Sequence, residues 1–305
     1  MAAFVTKRLA LALLVAIFVS SISFSLMFLT GDPAIAIAGE GATEADIEVI
    51  RRTFGFDRSF AVQYWDWISG AASGDFGQSF YFNQPVVELL AERMPVTATL
   101  AVFSIGFALL LALPLGILAA VKRNSLADRL SLALATVGQA TPSFWLALML
   151  IVLFAVNLRW LPVSGADTLA HFILPSIVLG YYASPSMMRL TRGGMIEALR
   201  SDYIRTARAK GMLPRTIILK HALRNAVLPV VSVAAVEFGF ILGGSVVVES
   251  VFSLRGIGYL AWESIGRNDF PTIQAIILVY AMIYVCLTFL ADVLNAWIDP
   301  RIRVA

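Results

Sequence analysis

"VTATLAVFSIGFALLLALPLGILAAV", residues 96–121, runs through 26 positions without one Asp, Glu, Lys, Arg or His. As a helix rising ~1.5 Å per residue it would be about 39 Å long, enough to cross the ~30 Å hydrocarbon core of a bilayer. No face of it offers water a charge, and in lipid only helices and closed barrels satisfy their own backbone groups. The stretch is therefore read as a transmembrane helix, and it decides the class of the molecule. Five further stretches are apolar enough to join it: Leu9–Leu29, Leu130–Val156, His171–Met188, Val227–Val251 and Ile273–Ile298. With 59% hydrophobic and only 14% charged residues in 305, the composition lies outside the soluble globular range. The expectation is an all-α membrane protein with six transmembrane helices.

Lys7 and Arg8 ahead of the first stretch, and Ala36-Ile37-Ala38 after it, raise the question of a cleaved leader. The apolar stretch Leu9–Leu29, 21 residues long, exceeds the ~7–15 of a leader's hydrophobic region, so a retained anchor is expected. Placing both termini in the cytoplasm puts 16 of the 23 Lys and Arg on that side, including Lys122, Arg123, Arg129, Arg301 and Arg303, as the positive-inside bias requires. The chain then divides into a cytoplasmic N-terminus (1–8), a first span (9–29), an extracytoplasmic region (30–95) and a core (96–305) with a cytoplasmic loop at 189–228. The small positive net charge follows from topology and does not point to nucleic acid.

In the extracytoplasmic region Thr43 and Asp46 have the spacing of a capping box, and Ile47, Ile50 and Phe54 follow at helical intervals. Phe60, Tyr64 and Trp67 share one face of a second amphipathic helix, which either rests at the interface or closes a local core. Gly74 and Gly77 break it. In the cytoplasmic loop Met195, Leu199 and Tyr203 form an apolar stripe, Gly211 is placed to cap the helix in a left-handed conformation, and Pro214 to start the next one. Ile217, Ile218, Ala222 and Leu223 form the apolar face of that second helix, so the loop reads as two short helices joined by a glycine-proline corner. A basic amphipathic helix of this kind can enforce topology, lie on anionic lipid or dock into a cytoplasmic partner. Its spacing does not choose between these.

Chemistry-bearing motifs are sparse. No G-x-x-x-x-G-K-[ST] phosphate loop, H-E-x-x-H or G-x-S-x-G element occurs, so no catalytic residue is assigned. Cys286 stands alone and His171 and His221 are far apart along the chain, so no metal site is expected. Glu237 reads as the acidic residue well inside a span, Asp292 near a span end aside. It either lines a solute path, favouring cationic termini, or makes an interhelical hydrogen bond. Gln139, Thr141, Pro142 and Ser143 make the third span polar and kinked; Gln139 and Ser143 are candidates for the same path, or serve the backbone groups that proline frees. Gly239, Gly243 and Gly244 suggest a close-packing face, and Met187 and Met188 suggest packing residues.

The text of the loop adds a further clue. "MMRLTRGGMIEALRSDYIRTARAKGM" (187–212) followed by "KHALRNAVLP" (220–229) resembles the signature of ATP-binding-cassette importer permeases, in the branch for dipeptides, oligopeptides and nickel. Arg205-Thr206-Ala207 stands where the family's Glu-Ala-Ala would be, and Gly211 stands at its glycine. Leu223 matches, whereas His221 and Arg224 replace the general motif's Ile and Pro, as is typical of this branch. "FGFDRSFAVQYWDWISGAASGDFGQSF" (54–80), "TPSFWLALML" (141–150), "LGGSVVVESVFSLRGIGYL" (242–260) and "NDFP" (268–271) resemble the branch in the right order.

The resemblance implies a type I ABC importer permease fold in a bacterial inner membrane, working by alternating access. The loop would be its coupling helix, with Asp202, Tyr203, Arg205, Thr206, Ala207, Arg208, Ala209, Lys210 and Gly211 meeting a groove of the ATPase. Implied partners are a second homologous permease subunit, two ATPase subunits or domains, an extracytoplasmic solute-binding protein and the lipid bilayer. ATP and Mg would belong to the ATPases, with no cofactor in this chain. Peptides are the leading solute, with nickel, glutathione-like compounds and oligosaccharides as alternatives. A secondary transporter, the rival of another class, would show inverted repeats, and no convincing halves are visible.

Overall fold

The computed structural model describes residues 2–29, 31–39 and 41–298, and Arg301 and Arg303 lie outside the described residues. Among those described the regular elements are helical, with one isolated antiparallel bridge between Gln78 and Pro85. The first helix, α1, spans Ala2–Leu29. α2 (Pro33–Ala38) opens on Asp32, whose carboxylate accepts the Ala34 N–H at 2.9 Å, with Pro33 at the first position. α3 (Glu44–Thr53) carries the expected capping box: Thr43 Oγ1 accepts the Asp46 N–H, and the Asp46 carboxylate accepts the Thr43 N–H at 3.0 Å. Arg51 joins these two helices by pairing with Asp32, and its hydrogen bond holds the Asp32 carboxyl below the usual range. α4 covers Phe60–Ala72 and ends before Gly74 and Gly77, both at positive φ.

α5 (Val86–Val121) is 36 residues long, starting ten residues before the expected Val96 because Val86, Leu89 and Leu90 find buried partners. α6 (Leu126–Ala140) and α7 (Ser143–Leu150, followed by a wide π turn Ile151–Asn157) replace the expected third span. Their axes differ by 104°. Pro142 supplies no N–H and forces Thr141 out of the helical region, to φ −81°, ψ 124°, so the anticipated kink is a full break.

α8 (Ile173–Arg200) runs well past Met188. Ser201 then takes an extended conformation, and α9 (Asp202–Ala209) starts in a new direction. The loop therefore has a joint that the Met195–Leu199–Tyr203 stripe did not show. Gly211, at φ +73°, makes the expected left-handed corner. The second loop helix is a short α10 (Pro214–Thr216), a π turn Ile217–Ala222 and α11 (Leu223–Ala226). α12 (Leu228–Gly244) and α13 (Val246–Val251) divide the expected fifth span at Ser245. α14 (Ile257–Gly266) and α15 (Phe270–Ile298) complete the chain.

Among the described residues three helical stretches are long and apolar enough to cross a membrane, Ala10–Phe28, Val86–Val121 and Phe270–Val293; counting each of two bent pairs as one span gives five. Of the expected span His171–Met188, His171 and Phe172 end a 3-10 turn and the rest forms the first part of α8, where Ser176, Tyr181, Tyr182, Ser184 and Ser186 dilute the apolar run before Arg189. It does not pass on composition.

The chain separates into two units. In the unit of Met1–Pro95 and Gly256–Cys286, Phe24 of α1 meets Phe60, Tyr64 and Trp67 at ring centroids of 5.3, 5.6 and 5.6 Å, so the aromatic face of α4 closes a local core. The buried Asp269 carboxylate accepts Ser79 Oγ at 2.6 Å, Thr272 Oγ1 at 2.7 Å and the Phe80 N–H at 2.9 Å. In the unit of Val96–Arg255 and Leu287–Ala305, α8 packs on α5, α6 and α11 through glycines. A Cβ on Gly180 would lie 2.4 Å from the Ser104 carbonyl oxygen, one on Gly116 2.9 Å from the Met188 carbonyl oxygen, and one on Gly194 3.1 Å from Ala226. Gly243 and Gly244, expected to pack closely, would meet nothing within 4 Å.

Candidate functional site

Two features of the second unit bear on function: the exposed loop around α9, and a polar cavity beside α7, α8 and α12. α9 is amphipathic in the strict sense. Ile204 and Ala207 are buried, packed in a cluster with Met195, Ile217, Ala222 and Ala226. Asp202, Tyr203, Arg205, Thr206, Arg208, Ala209, Lys210 and Gly211 remain exposed. Ala207, expected to face a partner, instead seats the helix on its own chain, because the turn at Ser201 rotates that position inward. Tyr203 is held at its tip, accepting a hydrogen bond from Asn225 Nδ2 at 2.8 Å. Arg205 pairs with Asp202 one turn earlier. The exposed face thus offers the cationic donors Arg205, Arg208 and Lys210 and the hydroxyls of Tyr203 and Thr206 on one short helix and its cap.

Below this helix lies an ion pair that sequence reading passed over. Arg192 of α8 grips Asp128 of α6 through Nε and Nη2 at 2.7 and 2.8 Å, and the Asn124 N–H reaches the same carboxylate at 2.9 Å. Asp128 is only 3% exposed, and the bidentate geometry suits Arg alone. The partners are 64 residues apart, so no local spacing announces them.

The cavity, of about 630 Å³, is lined by Gln139, Thr141, Pro142 and Ser143 at the α6–α7 break, Tyr182 and Ala183 of α8, and Glu237, Phe240 and Gly244 of α12. The structure thus brings together Gln139, Ser143 and Glu237, three residues from two distant parts of the sequence. Glu237 Oε1 accepts a hydrogen bond from Ser186 Oγ at 2.7 Å, and Gln139 Oε1 accepts one from Arg189 Nη1 at 3.1 Å. Glu237 thus bonds across helices, from α12 to α8, and also borders a cavity. A lone half-buried carboxylate among amide, hydroxyl and aromatic groups can receive an ammonium and orient a polar solute.

Another buried carboxylate, Glu249, lies in the last turn of the segment Val227–Val251, the segment that also carries Glu237. Glu249 is fully buried and accepts Thr97 Oγ1 at 2.9 Å and Ser245 Oγ at 2.8 Å. Its nearness to the segment's end hid it from a reading based on depth. Among the described residues no group of three or more His, Cys, Asp or Glu could hold a metal ion.

Comparison with known proteins covers nearly the whole chain. Residues 112–304 match the model described as binding-protein-dependent transport system inner membrane component, and residues 1–101 match the model of the N-terminal part of such membrane components. The glutathione transport system permease protein GsiC of Escherichia coli K12 is 43% identical over 302 residues, 98% of each chain. GsiC of Shigella flexneri serotype 5b is equally similar. Among solved structures, the inward-facing MetNI methionine ABC transporter superposes with a TM-score of 0.58 at 21% identity, covering 69% of this chain and 96% of that one. An amino acid ABC transporter solved with histidines gives 0.53 at 16% identity. Both share the fold.

Proposed function

The chain belongs to the family of binding-protein-dependent transport system inner membrane components, and from that premise we propose that it forms half of a translocation path for short peptides, glutathione-like compounds among them. It is the permease subunit of an ATP-binding-cassette importer in the inner membrane. In the proposed topology six spans leave both termini cytoplasmic, residues 30–95 face a solute-binding protein, and a second, related permease completes the path. ATP and Mg act on two partner ATPases, which grip α9 and the Gly211 corner. The peptide reading draws on the 43% identity to a glutathione permease and on the carboxylate-bearing cavity.

The observation that carries the coupling reading is the division of α9 into a buried face and an exposed polar face. A push on Arg205, Arg208 or Lys210 reaches Ile204 and Ala207, and through their cluster the ends of α8 and α11. Packed elements move as units, so the loop can convert ATPase closure into a shift of the spans around the cavity. Gly211→Val tests this. Left-handed φ costs an L residue about 1–2 kcal/mol, and a β-branched one more, so the corner should reshape. We expect normal membrane insertion, loss of ATPase from the purified complex and at least a roughly tenfold fall in transport. Native levels of ATPase on this variant would remove the loop from the docking surface.

For the cavity, Glu237→Gln keeps the Ser186 hydrogen bond and removes the charge. Uptake of peptides with a free amino terminus should drop by roughly tenfold, as for a lost charge-assisted bond, while N-acetylated peptides and complex assembly are unaffected. Equal uptake of both peptide types before and after the change would exclude Glu237 from the path.

A further inference from the structure

The other unit contains a cavity of about 400 Å³ whose walls come from α1, the α3–α4 connection, α4, the loop before α5 and the start of α15. Its character is aromatic: Phe24, Phe54, Phe56, Trp67, Phe76 and Phe80 line it. Two polar groups at its wall are poorly served. The Trp67 indole Nε1 is buried and makes no hydrogen bond among the described residues. Gln274 is 4% exposed, yet its amide donates to the thioether of Met27 at 3.8 Å, a weak acceptor. Buried donors without good acceptors are uncommon in folded proteins, and both of these side chains belong to the cavity's lining. At the rim Arg58 Nη1 pairs with Asp66 at 2.6 Å, with both side chains about half exposed.

The depth of this cavity is set by the helices that build it. Phe24 and Met27 belong to the last turns of the apolar stretch Ala10–Phe28, and Pro271 and Gln274 to the first turn of Phe270–Val293. Two membrane-crossing stretches therefore end at the same level, where acyl chains give way to ester carbonyls and phosphates. Trp rings favour that level because one edge is apolar and the other donates a hydrogen bond.

We propose that this cavity is a binding site for one phospholipid of the leaflet on the side of residues 30–95. An acyl chain lies among the phenylalanines, an ester carbonyl accepts the Trp67 N–H, and the phosphate meets Arg58 at the rim. The lipid would stiffen the seam between α1 and α4, where Ser20 Oγ and Tyr64 OH are 2.8 Å apart. A protein side chain inserted from outside could fill the aromatic part, but it would not account for a site starting within the membrane-crossing stretches.

The test uses the assembled importer in detergent, titrated with phosphatidylethanolamine carrying brominated acyl chains, while tryptophan fluorescence is followed. A saturable quenching phase is expected, it should vanish in Trp67→Phe, and Arg58→Ala should shift its midpoint by roughly tenfold, as for a lost charge-assisted bond. Inorganic phosphate should not compete, since it lacks the chain. Native mass spectrometry gives a second readout: one retained phospholipid on the parent and none on Arg58→Ala, an exposed position whose change spares the fold. Quenching that grows linearly with lipid, or an unchanged saturable phase in Trp67→Phe, would overturn the proposal. So would perturbation of Trp67 by added solute-binding protein that lipid fails to compete away.

Discussion

Arg192→Met is expected to destabilise the chain by about 3 kcal/mol, near the lower end of the range for removing one member of a buried ion pair. The substitution leaves the Asp128 carboxylate, 3% exposed, without its guanidinium. Two groups soften the loss and set the lower end: the Asn124 N–H still reaches the carboxylate at 2.9 Å, and Asp128 sits in the first turn of α6, where the helix dipole favours an anion. Asp128→Leu alone strands the guanidinium instead, but Arg192 is partly exposed and can turn to water, so its effect should be smaller. Combining Asp128→Leu with Arg192→Met should recover most of the stability, because an apolar pair avoids desolvating two ions. Thermal unfolding of the purified chain with the full double-mutant cycle reads this directly. Arg192→Met melting with the parent would mean that Asp128 is not held where the structure puts it. Transport should suffer in the single variant, since the pair ties α6 to α8 just ahead of the joint at Ser201.

That ion pair also marks the boundary of what the sequence discloses. Features governed by neighbours in the chain were legible: the Thr43–Asp46 capping box, the left-handed turn at Gly211 and the interruption at Thr141-Pro142 follow from backbone chemistry over three or four residues. The membrane class followed from apolar run length. Features that depend on which face meets which were not. The Met195–Leu199–Tyr203 stripe assumed one continuous helix; Ser201 breaks it, leaving Met195 fully buried and Tyr203 43% exposed. Ala207 faces a partner's groove only by the family resemblance, whereas the residue is 7% exposed within its own chain. Glu249 and Thr97 are 152 residues apart, and nothing in either neighbourhood foretells the pairing. Glycine content pointed to close packing, yet composition could not say that Gly180 rather than Gly243 supplies it.

Gly180→Val should prevent a stable association of α5 with α8. A Cβ at this position would stand 2.4 Å from the Ser104 carbonyl oxygen, 3.0 Å from Phe107 Cδ1 and 3.1 Å from the Ala108 nitrogen. Two of these neighbours are helix backbone, which cannot swing aside as a side-chain tip can. Ser104, Ala108 and Ala112 repeat every four residues and are all fully buried, so α5 presents a flat seam of small residues to α8. In lipid no hydrophobic gain offsets a lost contact, since acyl chains are as apolar as the side chains they replace. Even Gly180→Ala should lower stability by about 1–3 kcal/mol, the usual range for overpacking, and Val should exceed that. Gly243→Ala is the matched control: it is helical, and a Cβ there meets no tertiary neighbour within 4 Å among the described residues, while replacing a helical glycine removes about 1 kcal/mol of unfavourable propensity. The two alanine variants should therefore move the melting temperature of the isolated chain in opposite directions. Equal melting would place α5 and α8 farther apart than the width of a methyl group, and the seam that carries α8, and with it the base of α9, would have to run elsewhere.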